Sequence, residues 1–257
     1  MKKQLIGMVH LSALPGTPKY RNWTSVINKA LSEARILKNE GFDAIIIENM
    51  HDVPYLNRKV GPEIVASFSV IGSLIKSELD IPIGIQILAG ANKQAIAVAK
   101  ATKLDFIRAE GFVFSHIADE GLMNSDAGEL LRYRKTIDAE NIKIYTDIKK
   151  KHSSHAITQD VSIVEMVEAA KFFLSDGIII TGKSTGLPAD VSELELVKKN
   201  TDLPIFIGSG ITPENLKDYA DFADGFIVGS YIKEKGYWEN SLSIKRIKKL
   251  VSKFSNL

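Results

Sequence analysis

The chain contains no cysteine, which excludes a disulfide framework, a thiolate metal site and a cysteine nucleophile. It has no apolar run approaching the roughly 18 residues of a membrane-spanning helix. The N-terminus reads MKKQLIGMVHL and turns straight into SALPGTP, without the long apolar stretch and small-residue cleavage site of a secretory signal. A cytoplasmic location is therefore expected. An excess of either charge is also missing: 33 Lys and Arg stand against 31 Asp and Glu, a net charge of +2. That balance gives no support for a nucleic-acid partner. The basic stretch IKRIKKLVSKF near the C-terminus reads as an amphipathic helix with a solvated face, although such helices also lie on membranes.

What is present is an ordinary globular composition, 45% hydrophobic and 25% charged, in a chain of 257 residues. That length is close to the roughly 250 typical of a (β/α)8 barrel. Short β-rich runs alternate with helical patterns, the mark of βαβ units and a parallel sheet. Eight strands are predicted at 5–10, 43–48, 83–88, 105–109, 143–148, 177–181, 204–207 and 225–228. Helices are expected at 25–39, 62–78, 92–102, 127–139, 162–174, 191–199, 213–219 and 243–254, with Pro62 and Pro213 as first-turn prolines. Eight units without a break in composition predict a single α/β domain over 1–257, a (β/α)8 TIM barrel. A doubly wound open sheet is the alternative.

Such barrels build their sites on the loops that follow the carboxyl ends of the strands. After strand 7 the chain reads GSGIT, and after strand 8 VGSYIK. Glycines let backbone N–H groups approach an anion, and a helix N-terminus beyond them adds positive partial charge. Gly208, Ser209, Gly210, Gly229 and Ser230 are accordingly the expected phosphate-binding residues. The segment TGKSTGLPAD after strand 6 adds Thr181, Gly182 and Thr185 as substrate contacts, with Lys183 near them.

The other strand ends present His10, Glu48, Asn49, Gln86, Arg108, Glu110 and Asp147, with Asp52 shortly after. Glu48 and Asp147 fit acid/base work, and Arg108 fits either recognition of an anion or an interior salt bridge. Strand alternation puts Tyr145, Asp147 and Lys149 on one face. Lys149 is thus preferred over Lys150 and Lys151 as an imine-forming or phosphate-binding amine. His10, Glu48, Asp147 and His152 form a possible divalent-metal set, although no HxH or HExxH motif supports it. No cofactor is identified. Asn49, Asp52, Gln86 and Glu110 are expected to touch substrate. The long segment after strand 4, with His116, Asp119 and Glu120, reads as a lid.

The segments GMVHLSALPGTP, IIIENMHDVPY, FIRAEGFVFSHIADEG, AGELLRYRK, DIKKKHSSH, GIIITGKSTG and FIGSGIT, in this order, resemble the BtpA/SgcQ family over nearly the whole chain. The resemblance implies a ribulose-phosphate-binding type of barrel and draws attention to His10, Glu48, Asn49, Asp52, Lys149, His152 and the GSG loop. The family's names point two ways, to photosystem I biogenesis and to a nucleosidase or sugar-metabolism enzyme. The leading expectation is an enzyme acting on a small phosphorylated sugar or nucleoside-like metabolite, by nucleosidase-like hydrolysis or phosphosugar isomerase or lyase chemistry. The alternative is a non-catalytic assembly or regulatory factor, working through partners or at a membrane surface. A homo-oligomer is expected in either case.

Overall fold

In the computed structural model, which describes residues 2–182 and 188–257, eight parallel strands close into a barrel. They are β1 (Gln4–His10), β2 (Ala44–Glu48), β3 (Ile83–Gln86), β4 (Phe106–Ala109), β5 (Lys143–Ile148), β6 (Gly177–Ile180), β7 (Ile205–Ile207) and β8 (Gly225–Val228). Each pairs with its neighbours in sequence, and β1 closes the ring on β8 through Gln4↔Gly225 to Gly7↔Val228. The helices are α1 (Trp23–Asn39), α2 (Pro62–Glu78), α3 (Asn92–Thr102), α4 (Ala127–Thr136), α5 (Ile163–Phe172), α6 (Val191–Asn200), α7 (Leu216–Tyr219) and α8 (Ile244–Phe254). The predicted (β/α)8 barrel is the observed fold. Among the described residues no helix is long and apolar enough to cross a membrane.

Two apolar layers hold the barrel. The outer one lies between strands and helices and includes Val9, Ile45, Ile47, Phe68, Ile85, Ile107 and Ile207. The inner one fills the barrel with Ile6, Met8, Ile46, Phe106, Ile179, Phe206 and Ile227, joined by Tyr145. Its three aromatic rings have a common device. The register partner of Phe106 is Gly84, that of Tyr145 is Gly177, and that of Phe206 is Gly225. A Cβ at Gly84, Gly177 or Gly225 would lie 2.2, 2.8 or 2.8 Å from the facing ring. Glycine on one strand thus makes room for each ring on the next.

Four aspartates brace the bottom of the barrel. Asp43, Asp105, Asp176 and Asp224 stand just before β2, β4, β6 and β8. Each accepts, through its carboxylate, the backbone N–H of Leu5, Ile83, Ile144 or Ile205 on the preceding strand, at 2.8–3.0 Å. Each also donates its own N–H to the carbonyl of that same residue. The device recurs once per pair of βα units.

The expected lid is an ordered structure. Strands His116–Ala118 and Gly121–Met123 form a hairpin, and Ser153–Ser154 pairs on the other side of it. Arg58 fastens this hairpin to the barrel: its guanidinium donates to the carbonyls of Gly90, Gly111 and Asn124 and pairs with Asp126 at 2.7 Å. The helix expected from Pro213 starts only at Leu216 and has four residues. Asn215 instead braces that turn, accepting from the Thr212 N–H and donating to the Gly210 carbonyl. The helix-dipole part of the phosphate argument is therefore withdrawn.

Candidate ligand site at the barrel mouth

The carboxyl ends of the strands open into two adjoining compartments. The first, of about 150 Å³, lies between the loops after β7 and β8. Gly208, Ser209, Gly210, Gly229 and Ser230 all line it, as the glycine pattern implied. Gly210 needs its glycine, having φ +66°. A Cβ at Gly229 would lie 3.2 Å from the His10 ring, and one at Gly208 would lie 3.4 Å from Arg108 Nη2. The two loops therefore run directly against the polar floor of the mouth. The second compartment, of about 270 Å³, is lined by Gln86, Glu110, Asp119, Glu120, Lys150, His152, Tyr55 and Trp238, among others. Glu48, Met50, Arg108 and Lys151 line both. Together the compartments are at the low end of the roughly 300–1,000 Å³ of small-molecule pockets.

The floor combines an ion pair with a histidine–carboxyl contact. Arg108 and Asp147 are both buried and joined by Nη2–Oδ1 at 2.9 Å and Nε–Oδ2 at 3.2 Å. This satisfies the interior salt-bridge reading of Arg108, and Asp147 lines neither compartment. His10 Nε2 lies 3.5 Å from Glu48 Oε2. Burial pushes the Glu48 carboxyl up to about 7 against the pull of Arg108 and Lys151. Burial, reinforced by the Lys233 charge, holds His10 well below its usual value. The imidazole is therefore uncharged at neutral pH, and the carboxyl beside it titrates in that range.

Two cations of the first compartment differ from the sequence expectation. Lys149, the residue after β5, lies in the left-handed region, φ 48°, which breaks the strand alternation that favoured it. The chain turns there, and Lys151 lines both compartments instead. Lys151 has no ion-pair partner among the described residues, and burial with the Arg108 charge lowers its pKa. Arg246 reaches the first compartment from α8. Its guanidinium sits 4.2 Å from the Tyr231 ring centroid and its Nε donates to the Tyr231 carbonyl. Only the basic run marks Arg246 in the sequence, and that run reads as a solvated face.

Other expected contacts are engaged elsewhere. The Asn49 side chain accepts the Leu88 N–H and donates to Asp52, and Asp52 accepts the Leu14 N–H. This pair ties together the loops after β1, β2 and β3. Thr181 lies beside Gly208, its Oγ1 buried without a hydrogen-bond partner, and Gly182 is buried. Thr185 and Lys183 lie outside the described residues. His152 is exposed, with φ 54°, on the rim of the second compartment. His10, Glu48, Asp147 and His152 are not gathered around one point: among the described residues no group of three or more His, Asp or Glu is placed to hold a metal ion.

A closed barrel with a glycine-lined pocket at the last two strands defines the class of fold. The model of the BtpA family matches residues 1–256, and the chain belongs to that family. An uncharacterized mitochondrial protein of Caenorhabditis elegans is 47% identical over 98% of this chain and 93% of its own length. The photosystem I biogenesis protein BtpA of Synechocystis is 34% identical over 90% of this chain and 81% of its own. Among solved structures, N-(5'-phosphoribosyl)anthranilate isomerase from Pyrococcus furiosus superposes with TM-score 0.62 at 12% identity, covering 99% of this chain and 100% of that one. Thiamine phosphate pyrophosphorylase from the same organism gives 0.61 at 12%, covering 99% and 96%. At that identity they share the fold and nothing further. The expectation of a phosphosugar or nucleoside enzyme is corrected accordingly. The Synechocystis relative is named for biogenesis, and the likeness to the enzymes shows the architecture alone.

Proposed function

We propose that this protein is an assembly or biogenesis factor that works without turnover, and that its barrel mouth holds a phosphorylated small molecule as a bound ligand. The observation that carries the assembly reading is the relation to the Synechocystis biogenesis protein across 90% of the chain. What supports the ligand is the first compartment, where Gly208, Ser209, Gly210, Gly229 and Ser230 meet Arg246 and Lys151. Backbone N–H groups at glycine turns and a guanidinium with unfilled donors suit a phosphate group. Arg108 contributes positive charge from the floor but is already committed to Asp147. Binding would stabilise the folded barrel by mass action, so occupancy can report the ligand's level to whatever the factor helps to assemble.

The test is genetic and biochemical. Deleting the gene in its own host is expected to deplete one defined protein complex and to leave an incomplete form of it, seen by native gel and mass spectrometry. Full-length protein carrying Glu48→Gln is expected to restore the complex. Failure of this folded variant to restore it, together with turnover of a phosphate ester by the wild type alone, would overturn the proposal. Calorimetric titration with inorganic phosphate tests the ligand half: Arg246→Ala should weaken binding by about tenfold, roughly the 1.4 kcal/mol of one charge-assisted contact.

A further inference from the structure

The second compartment has a chemistry of its own. Gln86 is 2% exposed. Its Nε2 donates to Glu110 Oε1 at 3.0 Å, while its Oε1 has no hydrogen-bond partner. Glu110 Oε2 and Glu120 Oε2 are likewise buried without a hydrogen bond. They face Lys150 at 3.4 and 3.8 Å, close enough for attraction and poorly placed for a good hydrogen bond. Three acceptors, from β3, the residue after β4 and the hairpin tip, thus belong to side chains that line this one compartment. Buried acceptors left without donors cost roughly 1–3 kcal/mol each. A ligand that brought donors would remove that cost.

Charge narrows the choice. Glu110, Asp119 and Glu120 line this compartment, with Glu48 only partly ionised at neutral pH, against Lys150 and Lys151, since Arg108 is neutralised by Asp147. Acid is in excess, so a ligand carboxylate would be repelled. An alkyl group would supply no donors at all. A neutral hydroxyl would supply donors and leave the excess uncompensated, whereas an ammonium group does both. Tyr55 and Trp238 complete the walls, and aromatic faces attract cations.

We infer that the ligand of the mouth is an amine-bearing phosphate monoester, its phosphate in the glycine-lined compartment and its ammonium against Gln86, Glu110 and Glu120. This rests on the phosphate reading of the first compartment. Four lining residues are common to both compartments, so the two adjoin, and a single molecule with a short spacer would reach from one to the other. Lys151 lines both compartments and so stands where they meet, whereas Gln86, Glu110 and Glu120 line only the second.

Calorimetric titration of the full-length protein at neutral pH separates the two readings. The probes are inorganic phosphate, aminoethyl, aminobutyl and aminohexyl phosphate, and alkyl, hydroxyalkyl and carboxyalkyl phosphates of the same lengths. At least one aminoalkyl phosphate is expected to bind about tenfold or more tighter than its alkyl and hydroxyalkyl counterparts, a difference of about 1.4 kcal/mol. The carboxyalkyl series should bind most weakly. Gln86→Leu and, separately, Glu110→Gln should reduce the amine preference while leaving inorganic phosphate affinity unchanged, since neither residue lines the first compartment. Equal binding across all phosphates overturns the amine while the phosphate site stands, as does a hydroxyalkyl phosphate that matches the amine. Absence of any binding, inorganic phosphate included, overturns the phosphate reading and this inference with it.

Discussion

At the scale of single residues, the mouth is governed by burial. Glu48 closes a strand of isoleucines, and the same apolar surroundings that build the barrel raise its carboxyl to about 7. Between its ordinary value of 4.5 and about 7, the folded chain keeps a proton that the unfolded chain has released. Stability therefore falls as pH rises through that window, and the full penalty is present above it. At about 1.36 kcal/mol per pH unit the loss comes to roughly 3–4 kcal/mol. Glu48→Gln removes this titration. Urea denaturation at several pH values should show wild type losing stability relative to the variant from pH 5 to 8; parallel profiles would refute the assignment. His10, Glu48 and Arg108 were legible because they end strands that the apolar pattern locates well. Lys151 was not, since period-2 reasoning fails where Lys149 turns left-handed. Arg246 was hidden for a different reason: a helix that looks solvated along its polar face can still lean one side chain into a pocket.

At the scale of elements, the eight strands and their helices were readable almost to the residue, apart from the shortened α7. Isoleucine-rich runs between Gly, Pro and Asp have few other ways to fold. The hairpin at 116–123 was not readable, because three-residue strands carry too little pattern and their anchor, Arg58, is far away in sequence. The aspartate braces were present in the sequence as a residue recurring before every second strand. Their role became visible only with the register, which brings each carboxylate to a strand N–H and each aspartate N–H to the carbonyl of the same residue. Asp105→Ala leaves the Ile83 N–H without its acceptor and Lys76 without its ion pair. A loss of about 1–3 kcal/mol is expected, with Asp105→Asn recovering part of it because the amide oxygen still accepts. Because each brace serves its own strand pair, Asp105→Ala and Asp224→Ala should add to within about 0.5 kcal/mol in urea midpoints. Strong non-additivity would show that the braces act as one unit.

At the scale of the whole molecule, the barrel's two ends are joined by the β1–β8 pairing, and one buried ion pair reinforces that closure over 200 residues of sequence. Lys233, fully buried just after β8, donates to Glu33 of α1 at 2.7 Å. Glu33 is itself buried, and its Oε1 has no hydrogen-bond partner. Burial lowers the Lys233 pKa against the pull of Glu33. A lysine depressed in this way binds its proton less tightly folded than unfolded, so this contribution to stability is present at high pH and is lost as pH falls through the two values. The pair thus joins the first helix to the segment that also carries Gly229 and Trp238, and it locks the ligand pocket to the start of the chain. Breaking it from one side should be severe. Lys233→Ala or Glu33→Ala leaves a buried charge alone and is expected to cost about 3–5 kcal/mol, whereas Lys233→Met with Glu33→Leu should recover most of that loss. Thermal and urea unfolding of the three variants decides the matter. If the double substitution is as unstable as either single one, the two residues matter for their shape and not for their charge, and the tie between the barrel's ends lies elsewhere.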